Sequence, residues 1–272
     1  MKDLIPGVKR DGDPECGIYY IQDLSEELKQ EIRNQLVKIC HGESKENSKS
    51  ELYSYRQTLK EFIHKYQEDS VDNNRHKGLI GELLVHILIG IENKFLVTSA
   101  FFNLEEHSFK KGYDITLYEK STKEIWITEI KSGEKHENHK TSSKSMVALI
   151  NKAKTHLITH QKDVESSMLW HNAVNHATVA LKNSRSEKQA ILDLLEKMGS
   201  KACNDEFSIK TCNVILAGVL FHSMTDQILK KEITKKFISL QKDQCFKKIL
   251  VMAIQKATFN KVYEFMKSEA EK

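Results

Sequence analysis

The chain alternates between segments with helical hydrophobic spacing and short, nearly continuous apolar runs. Helical spacing predicts one helix from Ser25, a typical N-cap residue, to about Cys40, and a second helix over residues 51–66. The segment KGLIGELLVHILIGI, at residues 77–91, predicts a third helix that is apolar on nearly every side. Further helices are expected between residues 146 and 199 and near the C-terminus.

Short apolar runs predict a central sheet. Residues 113–118 and 124–131 are β-type runs on either side of a turn-rich segment, which predicts a β-hairpin. The runs at 213–221 and 248–255 are apolar throughout, as strands buried on both faces are. The helix predicted between these two runs makes them a parallel pair. With a further β-type run at 96–102, the order of elements predicts an α/β protein with a mixed central sheet flanked by helices.

The hairpin carries the residues best suited to catalysis. Glu129 and Lys131 are two positions apart on one strand, so their side chains point to the same face. Asp114 opens the preceding strand, and pairing about 5 Å apart would bring its carboxylate beside Glu129. Two carboxylates can hold Mg²⁺ against a phosphate while an ammonium group orients the attacking water. This set therefore indicates metal-assisted phosphodiester hydrolysis.

Glu82 is a carboxylate inside the most apolar predicted helix. Burying it is unfavourable unless it is paired, hydrogen-bonded or bound to a metal. The alternative is a solvent-facing stripe along an otherwise packed helix, and His86 shares that stripe at i, i+4 spacing. The Glu129 and Lys131 pair also has a plain alternative, a solvated ion pair at a strand end. The combination of Glu82, Asp114, Glu129 and Lys131 in one predicted unit favours the functional interpretation.

These motifs resemble the core of the PD-(D/E)XK nuclease superfamily. More narrowly, Gly81-Glu82, Gly112-Tyr113-Asp114 and Glu129-Ile130-Lys131 resemble the HamA-type (DUF1837) nuclease subunit of Hachiman antiphage defence. The chain departs from the superfamily pattern in having tyrosine, not proline, before Asp114.

The resemblance implies a restriction-endonuclease-like fold and a set of site roles. It implies that Asp114 and Glu129 bind Mg²⁺ or Mn²⁺, with the Ile130 carbonyl as a further ligand. Lys131 would position the attacking water, and Glu82 would complete the acidic cluster. The implied substrate is DNA, and the implied partner is a helicase that controls the nuclease.

Composition bounds these expectations. The 272 residues include 39% hydrophobic and 29% charged residues, typical of a globular protein, and the net charge of +4 suits a polyanionic partner without requiring one. Five widely spaced cysteines predict reduced thiols, and the N-terminus has no apolar signal sequence, so a cytoplasmic location is expected. His156 and His160 have the spacing of a helical zinc pair, but scattered surface histidines are the favoured interpretation.

The polar segment 134–145 is predicted to be a loop beside the site. Its lysines Lys135, Lys140 and Lys144 could contact phosphates, although a solvated loop is the commoner meaning of such a run. Lys144, Asn151 and Lys152 are also candidates for an additional polar helper at the site.

The sequence divides into a helical N-terminal section, residues 1–70, and a nuclease core, residues 71–272. The predicted function is a Mg²⁺-dependent deoxyribonuclease effector of prokaryotic antiviral defence. Two alternatives stay open: a stand-alone restriction-type endonuclease, and a catalytically silent nuclease-like subunit that binds DNA or assembles with a partner.

Overall fold

A computed structural model describes residues 1–68, 73–102, 112–159 and 164–272. Within these ranges one mixed sheet has the spatial order β1-β2-β3-β8-β7-β6-β5-β4. Its strands are β1 (Lys2–Ile5), β2 (Val8–Asp13), β3 (Cys16–Ile21), β4 (Phe95–Val97), β5 (Ile115–Glu119), β6 (Glu124–Glu134), β7 (Asn213–Phe221) and β8 (Lys248–Lys256).

Helices cover both faces of this sheet. They are α1 (Glu26–His41), α2 (Tyr55–Glu68), α3 (Asn73–Glu92), α4 (Ser142–Thr159), α5 (Val164–Ala180), α6 (Lys188–Cys203), α7 (Lys230–Lys242) and α8 (Asn260–Ala270). Helices α1, α2, α3 and α8 pack in one hydrophobic core, and α4 to α7 pack in the other. The predicted α/β class with a mixed, helix-flanked sheet is confirmed.

The centre of the sheet is parallel and fully buried. Strands β3, β8, β7 and β6 pair in parallel, and all nine residues of β7 are buried. Along β7, Ile215 and Val219 join one core while Val214 and Leu216 join the other, as the alternation of side chains in a strand requires. The predicted parallel pair with an intervening helix corresponds to β7, α7 and β8.

Helix α1 is flanked at both ends by residues that suit a helix boundary. The Ser25 hydroxyl accepts a hydrogen bond from the Leu28 N–H at 3.2 Å. At the other end Gly42 adopts φ +88°, and a Cβ there would lie 2.4 Å from the Ala180 Cα. Glycine is therefore required both by the backbone conformation and by the close approach of α5.

The N-terminal section contributes more than helices. Strands β1, β2 and β3 occupy residues 2–21 and extend the same sheet, with β3 paired to β8. The apolar run at residues 17–21 predicts only one strand in this section, because β1 and β2 are mostly polar and lack a distinctive pattern. The description of residues 1–70 as helical is thus incomplete. The division at residue 70 falls within 69–72, outside the described residues, and stays a prediction.

The elements that surround the hairpin follow the predicted order α3, β4, β5, β6. However, β4 ends at Val97, although the apolar run predicted a strand to residue 102. The N–H groups of Phe101 and Phe102 donate instead to the carbonyl oxygens of Ile39 and Cys40, at 2.9 and 3.1 Å. These carbonyls lie in the last turn of α1, where no helical donor is available. The chain therefore leaves the sheet early.

The predicted loop 134–145 is shorter in the structure. Strand β6 continues to Glu134, and α4 begins at Ser142. Lys144 therefore belongs to the first turn of α4. Lys135 is held by Asp226, with 2.7 Å between its Nζ and Oδ2. Predicted loop residues 105–111 precede the hairpin and lie outside the described residues.

His86 is a packing residue in α3. It is 1% exposed and makes an edge contact with Phe101, with 6.1 Å between ring centroids. Neither ring nitrogen bonds to any residue that the structure describes. Burial alone lowers the pKa of His86 from 6.5 to about 3. Between these two pH values the unfolded chain takes up a proton that the folded chain does not, so stability falls as the pH falls.

We expect His86→Leu to remove this acid sensitivity. The difference in free energy of unfolding between variant and wild type should grow in favour of the variant by up to about 1.4 kcal/mol per pH unit below pH 6.5. Urea unfolding at several pH values measures it. His171→Leu, at an exposed position on α5, is the control and should leave the slope unchanged. An unchanged slope in His86→Leu would contradict the assignment.

Candidate active site

The four residues predicted to carry catalysis line one cavity of about 590 Å³. Glu82, Asp114, Glu129 and Lys131 all contribute to its wall. The cavity lies beside the start of β5, and Ser99, Ala100 and Phe101, which follow β4, also line it. Its wall combines side chains from both faces of the sheet, with α3 on one face and α4 and α5 on the other.

Pairing of β5 with β6 places the two hairpin acids together. Ile115 is opposite Thr128, so Asp114, just before β5, lies beside Glu129 and Ile130. The Ile130 N–H donates to Asp114 Oδ2 at 2.7 Å, which fixes this carboxylate against the neighbouring strand. On β6 the Lys131 ammonium donates to Glu129 Oε1 at 2.5 Å. The predicted shared face of Glu129 and Lys131 is therefore observed.

Helix α3 brings Glu82 to the cavity because it packs very closely on β6. A Cβ at Gly81 would lie 1.9 Å from the Ser132 hydroxyl, so glycine is needed for this approach. Gly78, Leu79 and Glu82 then form one wall of the cavity. His86, one turn further, does not line the cavity and instead packs in the core.

His156 is a residue of the site that the sequence did not reveal. It lies on α4, lines the cavity, and its Nδ1 is 2.7 Å from Glu129 Oε1. The favoured interpretation from the sequence was a scattered surface histidine, and the alternative was a zinc pair with His160, which lies outside the described residues. The contact with Glu129 depends on the packing of α4 on β6, 27 residues away along the chain, and no short motif records it.

The predicted helper residues are less prominent. Asn151 and Lys152 are exposed on α4 and do not line the cavity, and neither does Lys144. Arg75, at the start of α3, is instead a second cationic residue of the cavity wall beside Lys131. No sequence pattern pointed to Arg75, because it lies seven residues before Glu82 in a polar stretch.

A comparison with models of protein families shows which family this chain belongs to. A model of the HamA family matches residues 4–270. The chain belongs to the HamA family. The match includes strand β3 and helices α1 and α2, so the N-terminal section is part of the HamA unit. A comparison with curated proteins found no match. HamA membership supports the expected association with Hachiman antiviral defence.

The charges of this HamA site are closely coupled. Burial raises the pKa of Asp114 to about 7, and the negative charge of Glu129 adds to the effect. Burial also raises the pKa of Glu82 well above its usual value, helped by the charges of Asp114 and Glu129. Lys131 opposes both shifts without cancelling them. Glu82 and Asp114 therefore hold protons more readily than isolated carboxyl groups do, and a bound cation would favour their charged forms.

The oxygen atoms suit a hard divalent cation. Asp114 Oδ2 is bound by the Ile130 N–H, and Glu129 Oε1 is bound by Lys131 and His156. In the described chain the second oxygen of each carboxylate makes no hydrogen bond. Mg²⁺ commonly uses one or two carboxylates and keeps several waters. The described residues contain no ready-made cluster of three or more His, Cys, Asp or Glu ligands. The donor set thus fits a two-carboxylate site completed by water.

The described part of this HamA chain contains no helix that is both long and apolar enough to cross a membrane.

We expect Asp114→Asn to stabilise the metal-free protein at high pH. The pKa of Asp114 is raised from 3.8 to about 7, so the folded state loses stability as the pH rises through this window. Asparagine keeps an acceptor for Ile130 but carries no charge. The variant should exceed wild type by about 1–3 kcal/mol at pH 8 and equal it near pH 4.

Thermal unfolding with and without Mn²⁺ completes this test. At pH 8 Mn²⁺ should raise the melting temperature of wild type more than that of Asp114→Asn. Glu137→Gln, which removes an exposed carboxylate from the loop after β6, is the control and should behave as wild type. Equal stabilisation of both proteins by Mn²⁺ would contradict a cation site at Asp114.

Proposed function

We propose that this HamA-family protein is a metal-dependent DNA nuclease that acts as the effector of Hachiman antiviral defence under the control of a partner helicase. The observation that carries the proposal is the convergence of Glu82, Asp114, Glu129 and Lys131 on one cavity. These residues come from α3, from the residue before β5, and from β6, and chance ion pairs seldom bring such a set together. The family match supplies the defence context.

In the proposed mechanism, Asp114 and Glu129 would hold Mg²⁺ or Mn²⁺, with the Ile130 carbonyl as a further ligand. Bound metal would lower the pKa of a water molecule and neutralise charge on the scissile phosphate. Glu82 adds a third carboxyl group to the acidic wall and can accept a hydrogen bond from water in the cavity.

Lys131 has a separate role in this mechanism. Its ammonium group is anchored to Glu129 and is 30% exposed, so it remains accessible from the cavity. From this position it can donate a hydrogen bond to the attacking water or to a phosphoryl oxygen, where negative charge develops during hydrolysis. The 2.5 Å contact with Glu129 fixes the distance between this donor and the metal ligands.

DNA would approach the cavity over a surface that carries several cations. Arg75 and Lys131 line the cavity, whereas Lys140 and Lys144 are exposed around the start of α4 and do not line it. Contacts from such groups to phosphates give affinity that does not depend on base sequence and that falls with salt. Lys135 contributes less, because Asp226 already neutralises it.

Two other functions remain candidates. A stand-alone restriction-type endonuclease would use the same site but cut at fixed sequences without a helicase. A silent subunit would bind DNA or a partner without cutting it. Retention of both carboxylates and of Lys131 around an accessible cavity favours an active enzyme over the silent subunit.

Replacing Glu129 or Lys131 tests the proposed chemistry. We expect Glu129→Gln and Lys131→Ala each to lower cleavage of plasmid and single-stranded DNA by about 100-fold or more, because each removes a group that stabilises the transition state. Cleavage should require Mg²⁺ or Mn²⁺ and should depend on the proposed partner helicase. Gel assays with and without that helicase measure all three properties.

Matched controls remove similar charges elsewhere. Glu137→Gln and Lys261→Ala lie on the exposed loop after β6 and on exposed α8, and both should cut as wild type does. A ladder of fixed bands without helicase would favour the restriction-type alternative. Wild type that never cuts with the helicase present, or variants that cut equally well, would overturn the proposed site.

His156 should act by positioning Glu129. We expect His156→Ala to raise the Mn²⁺ concentration needed for half-maximal cleavage by about 10- to 100-fold, as is typical when a partner of a metal ligand is lost. His156→Asn can place an N–H near the position of Nδ1 and should recover most of the loss. Cleavage measured over a range of Mn²⁺ concentrations distinguishes the variants. Unchanged metal dependence in His156→Ala would contradict this role.

A further inference from the structure

A second cavity, of about 240 Å³, shares no lining residue with the candidate active site. It lies between the starts of β6 and β7 and helices α5 and α6, and we call it the α6 cavity. Much of its wall is apolar, formed by Ile125, Ile127, Trp170, Leu194 and Met198. An aromatic residue and aliphatic side chains on one wall suit a small planar, partly apolar group.

Positive charge is concentrated around the α6 cavity. Its lining includes Lys123, Lys197, Lys201 and Lys247 but only one acid, Glu124. Glu124 is already occupied, because it binds both Lys247 and Lys248, at 2.7 and 2.5 Å. In the described chain Lys123, Lys197 and Lys201 form no ion pair. The lining thus has a charge excess of +3 in a protein whose net charge is only +4. Such clustering favours an anionic ligand.

Two buried polar atoms in the wall also lack partners. Trp170 is 1% exposed and Asn213 is 5% exposed. Within the described residues the Trp170 indole N–H and the Asn213 Oδ1 make no hydrogen bond. An unsatisfied buried polar atom costs about 1–3 kcal/mol. A ligand with both an acceptor and a donor would satisfy the pair after a small side-chain movement, of the kind that commonly accompanies binding.

We propose that the α6 cavity binds a nucleoside monophosphate group. The phosphate would lie among Lys123, Lys197 and Lys201, and the base would pack against Trp170 and the apolar wall. Nucleobases carry both hydrogen-bond donors and acceptors, which matches the two unsatisfied atoms. The volume of about 240 Å³ restricts the ligand to one nucleotide unit. A free nucleotide and the 5′-phosphorylated end of a DNA strand present the same chemistry.

The α6 cavity is mechanically connected to the candidate active site. The Trp170 ring contacts the Tyr113 ring edge-on, with 5.0 Å between centroids. Tyr113 lines the active-site cavity next to Asp114, and Ala173 and His176 of the same α5 helix line it as well. A ligand in contact with Trp170 would therefore contact a residue that packs directly against the wall of the active-site cavity. The binding proposal itself does not depend on nuclease activity.

Trp170 provides a direct readout. The protein has two tryptophans, so Trp126→Phe leaves Trp170 as the single fluorophore. Titrations without divalent metal prevent any cleavage and can use dAMP, inorganic phosphate, and a short oligonucleotide with either a 5′-phosphate or a 5′-hydroxyl. Excitation at the red edge of the indole band limits absorption by the nucleotides. We expect saturable changes with dAMP or the 5′-phosphorylated oligonucleotide, and weaker binding of phosphate and of the 5′-hydroxyl oligonucleotide.

A pair of matched double variants makes the test specific. Lys197→Gln with Lys201→Gln should weaken binding by about tenfold or more, because two charged hydrogen-bond donors are lost. Lys231→Gln with Lys235→Gln removes the same charge from exposed α7 and should bind as the parent does. Response to dAMP identifies a free nucleotide site, and response to the 5′-phosphorylated oligonucleotide alone identifies a strand-end site. No saturable response to either ligand, or equal loss in both double variants, would overturn the proposal.

Discussion

The cost of holding several carboxyl groups together in one cavity is the constraint on which the candidate site depends. Burial raises the pKa of Glu82 and of Asp114, and the negative charge of Glu129 adds to both effects, with Lys131 as a partial counterion. Such an arrangement opposes folding unless the rest of the structure over-determines it. Here the surrounding scaffold is a parallel sheet centre buried on both faces, with a hydrophobic core on each side. The stability of that scaffold offsets the cost of holding these carboxyl groups in the site.

The same scaffold also orients the carboxylates. One oxygen of Asp114 is tied to the backbone of β6, and one oxygen of Glu129 is tied to Lys131 and His156. Each residue then presents its other oxygen without paying further rotamer entropy on binding a ligand. The close packing of Gly81 on Ser132 places Glu82 from the opposite face of the sheet.

The sequence predicted the parts of this arrangement that depend on local periodicity. Alternation along β6 placed Glu129 and Lys131 together, and uniformly apolar runs identified β7 and β8. The contribution of β1 and β2 was missed because edge strands with polar residues lack a distinctive pattern. The predicted extent of β4 was wrong. The backbone N–H groups of Phe101 and Phe102 bond to carbonyl oxygens at the end of α1, and the sequence pattern does not record such a long-range contact. His156 and Arg75 were missed for a related reason, since only tertiary packing brings their helices to the hairpin.

The most direct test of the account is to locate a divalent cation in crystals of the protein soaked in Mn²⁺. Anomalous scattering identifies manganese without reference to activity. The account predicts a peak at ligand distance from both Asp114 and Glu129, on the oxygens not bound by Ile130, Lys131 or His156, and no such peak in crystals of Glu129→Gln. A fully soaked wild-type crystal with no peak in this cavity, or with manganese bound only elsewhere, would contradict the central claim.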